Sequence, residues 1–425
     1  SVERFRDIIL EFKVGVIFEE FGFKYLGPID GHNIPMVMAA LKYAKNYNGP
    51  IMIHIVTLKG KGLQEAESNP CSFHGVSPKK KEPETKVVST KPKAESFSKV
   101  FGEEMIKSAK KDPDIVVITP AMETGSGLAE YAKECPDQYV DVGIAEEHAV
   151  TFAAGLARDG KKPILAIYST FLQRGYDQVI HDVCLQELPV IFALDRAGLV
   201  GPDGPTHHGV FDYSFLLHVP NMTIIAPKDI EESRQMLQWS VKQNKAISIR
   251  YPKAFASVHS GKIQNPITEK QEAECLFESK EKNLDILFLA AGTMAWPTVD
   301  AAEKLEEMNI SSAVINLRFI KPLDLKTINH YEERAKHVFV VEEGTEIGGV
   351  FAYILQSLNT DKSLNQCHQI AIPDRFIDHG KIETLHKECK LDTESIIDRA
   401  KEIIKNTHKV TINKTEEINK EPVLN

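Results

Sequence analysis

Four short segments bring acids, histidines and arginines to the ends of strand-like runs. Asp141-Val142-Gly143-Ile144-Ala145-Glu146-Glu147-His148 leads out of one such run into a helical pattern. Acids at a helix start are favoured by its dipole, which is explanation enough for the pair. A carboxylate fixed there could also face a cofactor from a rigid support. Tyr168-Ser169-Thr170-Phe171-Leu172-Gln173-Arg174 follows the next run. Its aromatics are more often core than cofactor contacts, and Arg174 more often a surface or helix residue. Asp195-Arg196-Ala197-Gly198 leads into Gly201-Pro202-Asp203-Gly204-Pro205-Thr206-His207-His208-Gly209. This is turn chemistry, yet it gathers an Arg, an Asp and two His at one strand end. Arg250 closes the last run, where a guanidinium could grip a phosphate or make an ordinary salt bridge.

Other chemistries are excluded by spacing. Lys59-Gly60-Lys61-Gly62 lacks the frame and the Ser or Thr of a phosphate-binding loop. Gly125-Ser126-Gly127 is too short for a dinucleotide fingerprint. His207 and His208 lack the i,i+4 spacing of a helical zinc site, and the six cysteines show no C-x-x-C. No metal ligand is assigned in this chain. A disulfide framework is not expected, and a reducing compartment is the default.

The chain has 425 residues, 51 basic and 60 acidic, for a net charge of −9. That balance argues against a nucleic-acid footprint. No apolar run approaches the roughly 20 residues of a membrane helix. The start, Ser1-Val2-Glu3-Arg4, reads as a processed or truncated end.

The elements that must hold these residues are legible as rhythm. Ile115–Thr119, Tyr139–Val142, Pro163–Tyr168, Pro189–Leu194, Met222–Ala226 and Ala246–Arg250 are β-rich runs separated by helical patterns. One of those helices carries Val100, Glu104, Ile106 and Ala109 and starts after Ser96 and Ser98. Apolar strands alternating with helices predict a parallel sheet covered on both faces. The rhythm recurs with Asp285–Ala290, Ser312–Asn316, His337–Glu342 and Gln369–Ile372. The first block offers one helix, Asn33–Asn46, and one strand, Ile51–Thr57, too little for a closed core. The expected fold class is α/β, with tandem doubly wound, mostly parallel sheets after a partial domain. The expected blocks are 1–78, a Lys-rich linker 79–95, 96–255, 283–406, and a polar tail 407–425. His379 and Glu342-Glu343 read as ordinary surface residues, and the third block is given no catalytic residue.

Together these segments resemble the 1-deoxy-D-xylulose-5-phosphate synthases, thiamine-diphosphate relatives of transketolase. The resemblance is carried by Phe18–Phe23, Gly27–His32, Ile118–Met122, Ile144–Gly155, Tyr168–Arg174 and Asp195–His208, and covers about Val14 to Ile404. It implies a transferase that condenses pyruvate with glyceraldehyde 3-phosphate and releases carbon dioxide. The product feeds isoprenoid, thiamine and pyridoxal synthesis. It also implies a pyrimidine-binding domain, a transketolase C-terminal domain and the tail of a diphosphate-binding domain.

By this resemblance Glu146 bonds the aminopyrimidine ring and favours the tautomer that activates the thiazolium carbon. Phe171 stacks on that ring, and Arg196 and Arg250 hold the aldehyde's phosphate. Tyr168, Arg174 and Asp203 line the same pocket. His207 stands near the reacting carbons, suited to proton transfer, and His74 is a further active-site histidine. Leu63 takes the place of a cofactor-touching Tyr. The Gly-Asp-Gly segment and later Asn that hold magnesium and the diphosphate in the family do not occur in this sequence. The resemblance therefore implies ligands for Mg2+ outside it, and weak cofactor binding by the chain alone. It further implies a cytoplasmic homodimer, or a complex with a separate N-terminal half. Two alternatives stand beside it: a subunit of a split transketolase or a 2-oxoacid dehydrogenase β-like subunit, and a non-catalytic partner of a complete synthase.

Overall fold

The computed structural model describes residues 15–70, 73, 95–257, 259, 265–358 and 366–418, with side chains through 406. The chain divides into two compact units, Ser1–Lys91 and Pro92–Asn425. His74 and nearly all of the expected linker lie outside the described residues.

In the first unit, β1 (Lys24–Asp30) pairs in parallel with β2 (Ile51–Val56), and the helix Ile34–Asn46 connects them. Asn33 caps that helix by accepting the Met36 N–H at 3.2 Å. β1 had no sequence signal: Gly27-Pro28 interrupts its apolar alternation, and its register slips between Leu26 and Ile29. Leu63 precedes the short helix Gln64–Ser68 and is half exposed.

The second unit is built on two sheets. The first contains β3 (Ile115–Thr119), β4 (Tyr139–Asp141), β5 (Lys162–Tyr168), β6 (Ile191–Asp195), β7 (Met222–Ile225) and β8 (Ala246–Arg250), all parallel. The second contains β9 (Glu274–Glu278), β10 (Leu284–Ala290), β11 (Ser312–Asn316), β13 (Ala335–Thr345) and β14 (Cys367–Ile372). Only β9 runs antiparallel there. β12 (Phe319–Lys321) leaves the third block to pair antiparallel with β7, so the first sheet has seven strands in the order β12-β7-β8-β6-β5-β3-β4. Ile164, Leu165, Phe192, Ala193, Ile247 and Ile249 are almost fully buried, as expected of strands covered on both faces.

One expectation changes. Glu342 and Glu343 are not surface residues: they lie inside, because backbone N–H groups and side chains satisfy their oxygens. The final helix, Thr393–Ile418, runs on into the polar stretch expected from 407. No Gly or Pro interrupts that segment, so its helical propensity is unbroken.

Candidate active site

The carboxyl ends of β3 to β8 converge on one edge, where open α/β sheets bind ligands. β4 and β5 flank β3 on opposite sides. Beyond β4, the Asp141 carboxylate accepts the N–H groups of Ala121 and Gly143, both at 2.9 Å. That turn delivers the chain to the helix Glu146–Arg158. Glu146 opens the helix and is buried, whereas Glu147 and His148 are exposed. One acid of the pair therefore faces inward, and its charge suits the helix N-terminus.

Arg174, from the turn after β5, donates to Glu146 Oε1 at 2.9 Å. Its guanidinium also stands 4.8 Å from the centre of the Phe171 ring. Phe171 stacks on Tyr168 at 5.7 Å and takes the edge of His207 at 5.3 Å. The His207 Nδ1 shares a 2.9 Å hydrogen bond with the Thr206 hydroxyl. Glu146, Arg174, Phe171, Tyr168 and His207 thus form one connected group drawn from three loops.

Arg196 extends the group. It has φ +60°, a backbone conformation uncommon outside glycine. Asp195 holds it there: its carboxylate accepts the Arg196 N–H at 2.7 Å and pairs with Nη1 at 3.0 Å. Burial raises the Asp195 carboxyl pKa, against the charge of Arg196 and the bond from Ser98. The Arg196 guanidinium lies 3.8 Å from the Tyr168 ring centre and donates to the Gly125 carbonyl at 2.7 Å. Arg196 and Lys253 line a cavity of about 410 Å³ with Ser98 and Gly125. Lys253 in turn pairs with Asp203 at 2.6 Å.

Arg250 sits deeper. Its Nε donates to Asp212 at 2.8 Å, and its Nη2 to the carbonyls of Gly209 and Glu343 at 3.2 and 2.9 Å. It covers the Tyr213 ring at 3.9 Å. Here the salt-bridge reading of Arg250 describes the observed contacts. Its charge stands behind the loop that carries Arg196, Asp203 and His207.

Several residues of the site were not singled out from sequence. Gly125 was seen only as part of a failed fingerprint. A Cβ at this position would overlap the Tyr168 hydroxyl and crowd Arg196. Met122 accepts the Tyr168 N–H through Sδ at 3.3 Å. Asp212 and His208 had no signal beyond residue type. The His208 Nδ1 accepts the Val200 N–H at 3.0 Å, and its Nε2 donates to the Asp378 carbonyl at 3.4 Å.

Comparison with known proteins bears on the family this fold resembles. Residues 1–57 match the family model described as 1-deoxy-D-xylulose-5-phosphate synthase. Residues 93–257 match the transketolase pyrimidine-binding domain, and 277–396 the transketolase C-terminal domain. The chain is 44% identical over 400 residues to the 1-deoxy-D-xylulose-5-phosphate synthase of Clostridium acetobutylicum, covering 94% of this chain and 64% of that protein. Over almost its whole length the chain is similar to the 1-deoxy-D-xylulose-5-phosphate synthases.

The synthase of Caldanaerobacter subterraneus subsp. tengcongensis is 46% identical over 398 residues, covering 93% of this chain and 63% of its own length. That of Aquifex aeolicus is 45% identical over 393 residues, covering 92% and 61%. The chain thus spans a little under two thirds of these curated relatives. Among solved structures, a split-gene transketolase described as an inactive β4 tetramer superposes with a TM-score of 0.64 at 21% identity, covering 73% of this chain and 99% of that one. The transketolase of Campylobacter jejuni gives 0.61 at 17% identity, covering 91% and 68%. These likenesses establish the shared transketolase-like α/β fold.

Proposed function

We propose that this chain forms the pyrimidine-binding and acceptor-phosphate side of a 1-deoxy-D-xylulose-5-phosphate synthase site. The reaction would join pyruvate to glyceraldehyde 3-phosphate with loss of carbon dioxide. The observation that carries the reading is the buried Glu146 carboxylate, tied through Arg174 to the same Phe171 ring that His207 touches.

These residues fit an aminopyrimidine. A buried carboxylate at a helix N-terminus is a strong acceptor for a ring N–H, and an aromatic ring beside it offers a stacking face. Thiamine diphosphate, when bound, supplies the carbon nucleophile and the electron sink for decarboxylation. Glu146 would hold the ring nitrogen and Phe171 the ring face. Leu63 would offer an apolar contact in place of a Tyr. His74, outside the described residues, is assigned an active-site role by its family motif alone.

For Mg2+ no ligand is assigned: among the described residues no three His, Cys, Asp or Glu side chains cluster suitably.

Arg196 would bind the phosphate from the cavity wall, and Arg250, paired with Asp212 beneath the loop, would support it from behind. Asp203 orients Lys253, and Tyr168 fixes Arg196 by stacking. With Nδ1 held by Thr206, the His207 Nε2 would exchange a proton with substrate. A cytoplasmic homodimer completes the proposal. No helix among the described residues is long and apolar enough to cross a membrane.

The test is carbon dioxide release from pyruvate plus glyceraldehyde 3-phosphate. The full chain, supplied with a synthase N-terminal half, thiamine diphosphate and Mg2+, should turn over. An inert mixture in which the two halves bind each other would overturn the reading.

A further inference from the structure

The loop between β6 and the Asp212–Leu216 helix carries Arg196, Asp203 and His207, and part of its anchoring comes from the block of the other sheet. Glu343 lies on β13, in the block to which sequence reasoning gave no catalytic role. It is buried, and its Oε1 accepts the Leu199 N–H at 3.0 Å. The same oxygen takes the Nε2–H of His386 at 2.9 Å. Its backbone carbonyl receives Arg250 Nη2 at 2.9 Å. Two residues on, the Thr345 N–H donates to the Val210 carbonyl at 2.9 Å. The loop itself closes through a reciprocal pair of bonds between Gly198 and Gly209, each 2.8 Å.

Gly198 shows how tight this seat is. Its φ is +74°, and a Cβ there would overlap the Glu343 carboxyl group. The carboxylate is therefore pressed against the loop backbone, three residues beyond the β6 terminus. Burial works against the Glu343 charge, but the charge and hydrogen bond of His386 and the Leu199 N–H hold its carboxyl below the usual range. The His386 imidazole is correspondingly raised, burial being outweighed by Glu343.

From this geometry we infer that Glu343, held by His386, is a positioning residue that sets the Arg196–Gly209 loop for the phosphate-bearing substrate. The inference rests on the proposed synthase reading. Glu343 touches no reacting atom in this account. Its carboxylate acts through Leu199, while its backbone carbonyl takes Arg250, so that the second sheet templates the substrate loop of the first. A charged hydrogen bond to a buried backbone N–H is among the stronger single anchors a loop can have.

The experiment pairs two readouts on the full chain. Hydrogen–deuterium exchange would be followed over residues 196–209, with β5 and β6 as internal reference. Steady-state kinetics would be measured in the reconstituted synthase, varying glyceraldehyde 3-phosphate. Glu343→Ala should speed exchange of the loop about tenfold and leave the reference strands unchanged. It should raise the KM for glyceraldehyde 3-phosphate about tenfold, leaving that for pyruvate within about twofold. Glu343→Gln, which keeps an acceptor for Leu199, should recover most of the loop protection. His386→Gln, which leaves the carboxylate in place, should move both readouts the same way but less, and serves if Glu343→Ala does not fold. Unchanged loop exchange, or exchange that rises equally in the reference strands, would overturn the inference. The exchange result stands whether or not the chain turns over these substrates, so failure of the synthase reading is separately visible.

Discussion

Arg174 donates to the buried Glu146 carboxylate across 2.9 Å while its guanidinium borders the Phe171 ring. The contact links the acid expected to hold a cofactor with the aromatic expected to stack on it. Half of the Arg174 side chain is exposed, so solvent screens the pair. Arg174→Met should therefore cost only about 1 kcal/mol in urea unfolding. Turnover should fall by about tenfold or more, because Glu146 loses its orienting partner. A stability loss with unchanged turnover would separate the ion pair from the chemistry.

Gly125 makes room for the Tyr168 hydroxyl beneath Arg196. Gly125→Ala should push the Tyr168 ring off the guanidinium and cost about 1–3 kcal/mol as overpacking. Affinity for inorganic phosphate, measured by calorimetry, should drop with it. Wild-type phosphate affinity in this variant would show that the stack does not position Arg196.

The strands were legible because short β-branched runs are hard to read otherwise. Ile115–Thr119, Ala246–Arg250 and Ser312–Asn316 appear with the expected bounds. What stayed hidden needed tertiary partners. β12 has three residues and exists only because β7 offers an edge. Glu342 and Glu343 look like surface acids until Val350, Phe351, Leu199 and His386 bond to them. In the site, residue types at strand ends pointed to Glu146, Phe171, Arg196 and His207 as candidates. The carbonyl of Gly125 and the carboxylate of Asp212, which hold the two arginines, carry no local pattern.

His337 and His368 face each other on β13 and β14, Nδ1 to Nε2, at 3.1 Å. Burial lowers both pKa values, and His337 and Arg399 add to the effect on His368, which is pushed down to about 4. An unfolded histidine titrates near 6.5, so between about pH 6.5 and 4 the unfolded chain binds a proton that the native His368 does not. Stability from this group is full above pH 6.5 and is lost with acid, by up to about 1.4 kcal/mol per unit. Urea unfolding at pH 7 and pH 5 should show a smaller acid loss in His368→Gln than in wild type. Equal losses would remove the pair as a source.

Lys228 is buried between Glu232 at 3.1 Å and Glu274 at 2.8 Å, and Arg318 joins the same acids at 2.7 and 3.3 Å. The cluster ties the end of β7 to β9 and to the turn between β11 and β12. Lys228→Met leaves two buried carboxylates sharing Arg318, and should destabilise by about 3–5 kcal/mol. Because Glu232 comes from the helix Ile230–Ser240 after β7 and Glu274 from β9 of the second sheet, unfolding followed by fluorescence and circular dichroism should remain one transition in wild type. A substitution costing under about 1 kcal/mol would show that the cluster is solvated.

The account turns on the carboxylate at position 146. Glu146→Gln keeps the shape and the helix, and removes the charge that would face a ring nitrogen. Measured as carbon dioxide release from pyruvate plus glyceraldehyde 3-phosphate in the reconstituted synthase, it should lower turnover by about 10²–10⁴-fold while costing only about 1 kcal/mol in urea unfolding. A Glu146→Gln enzyme that retains half of the wild-type rate would contradict it.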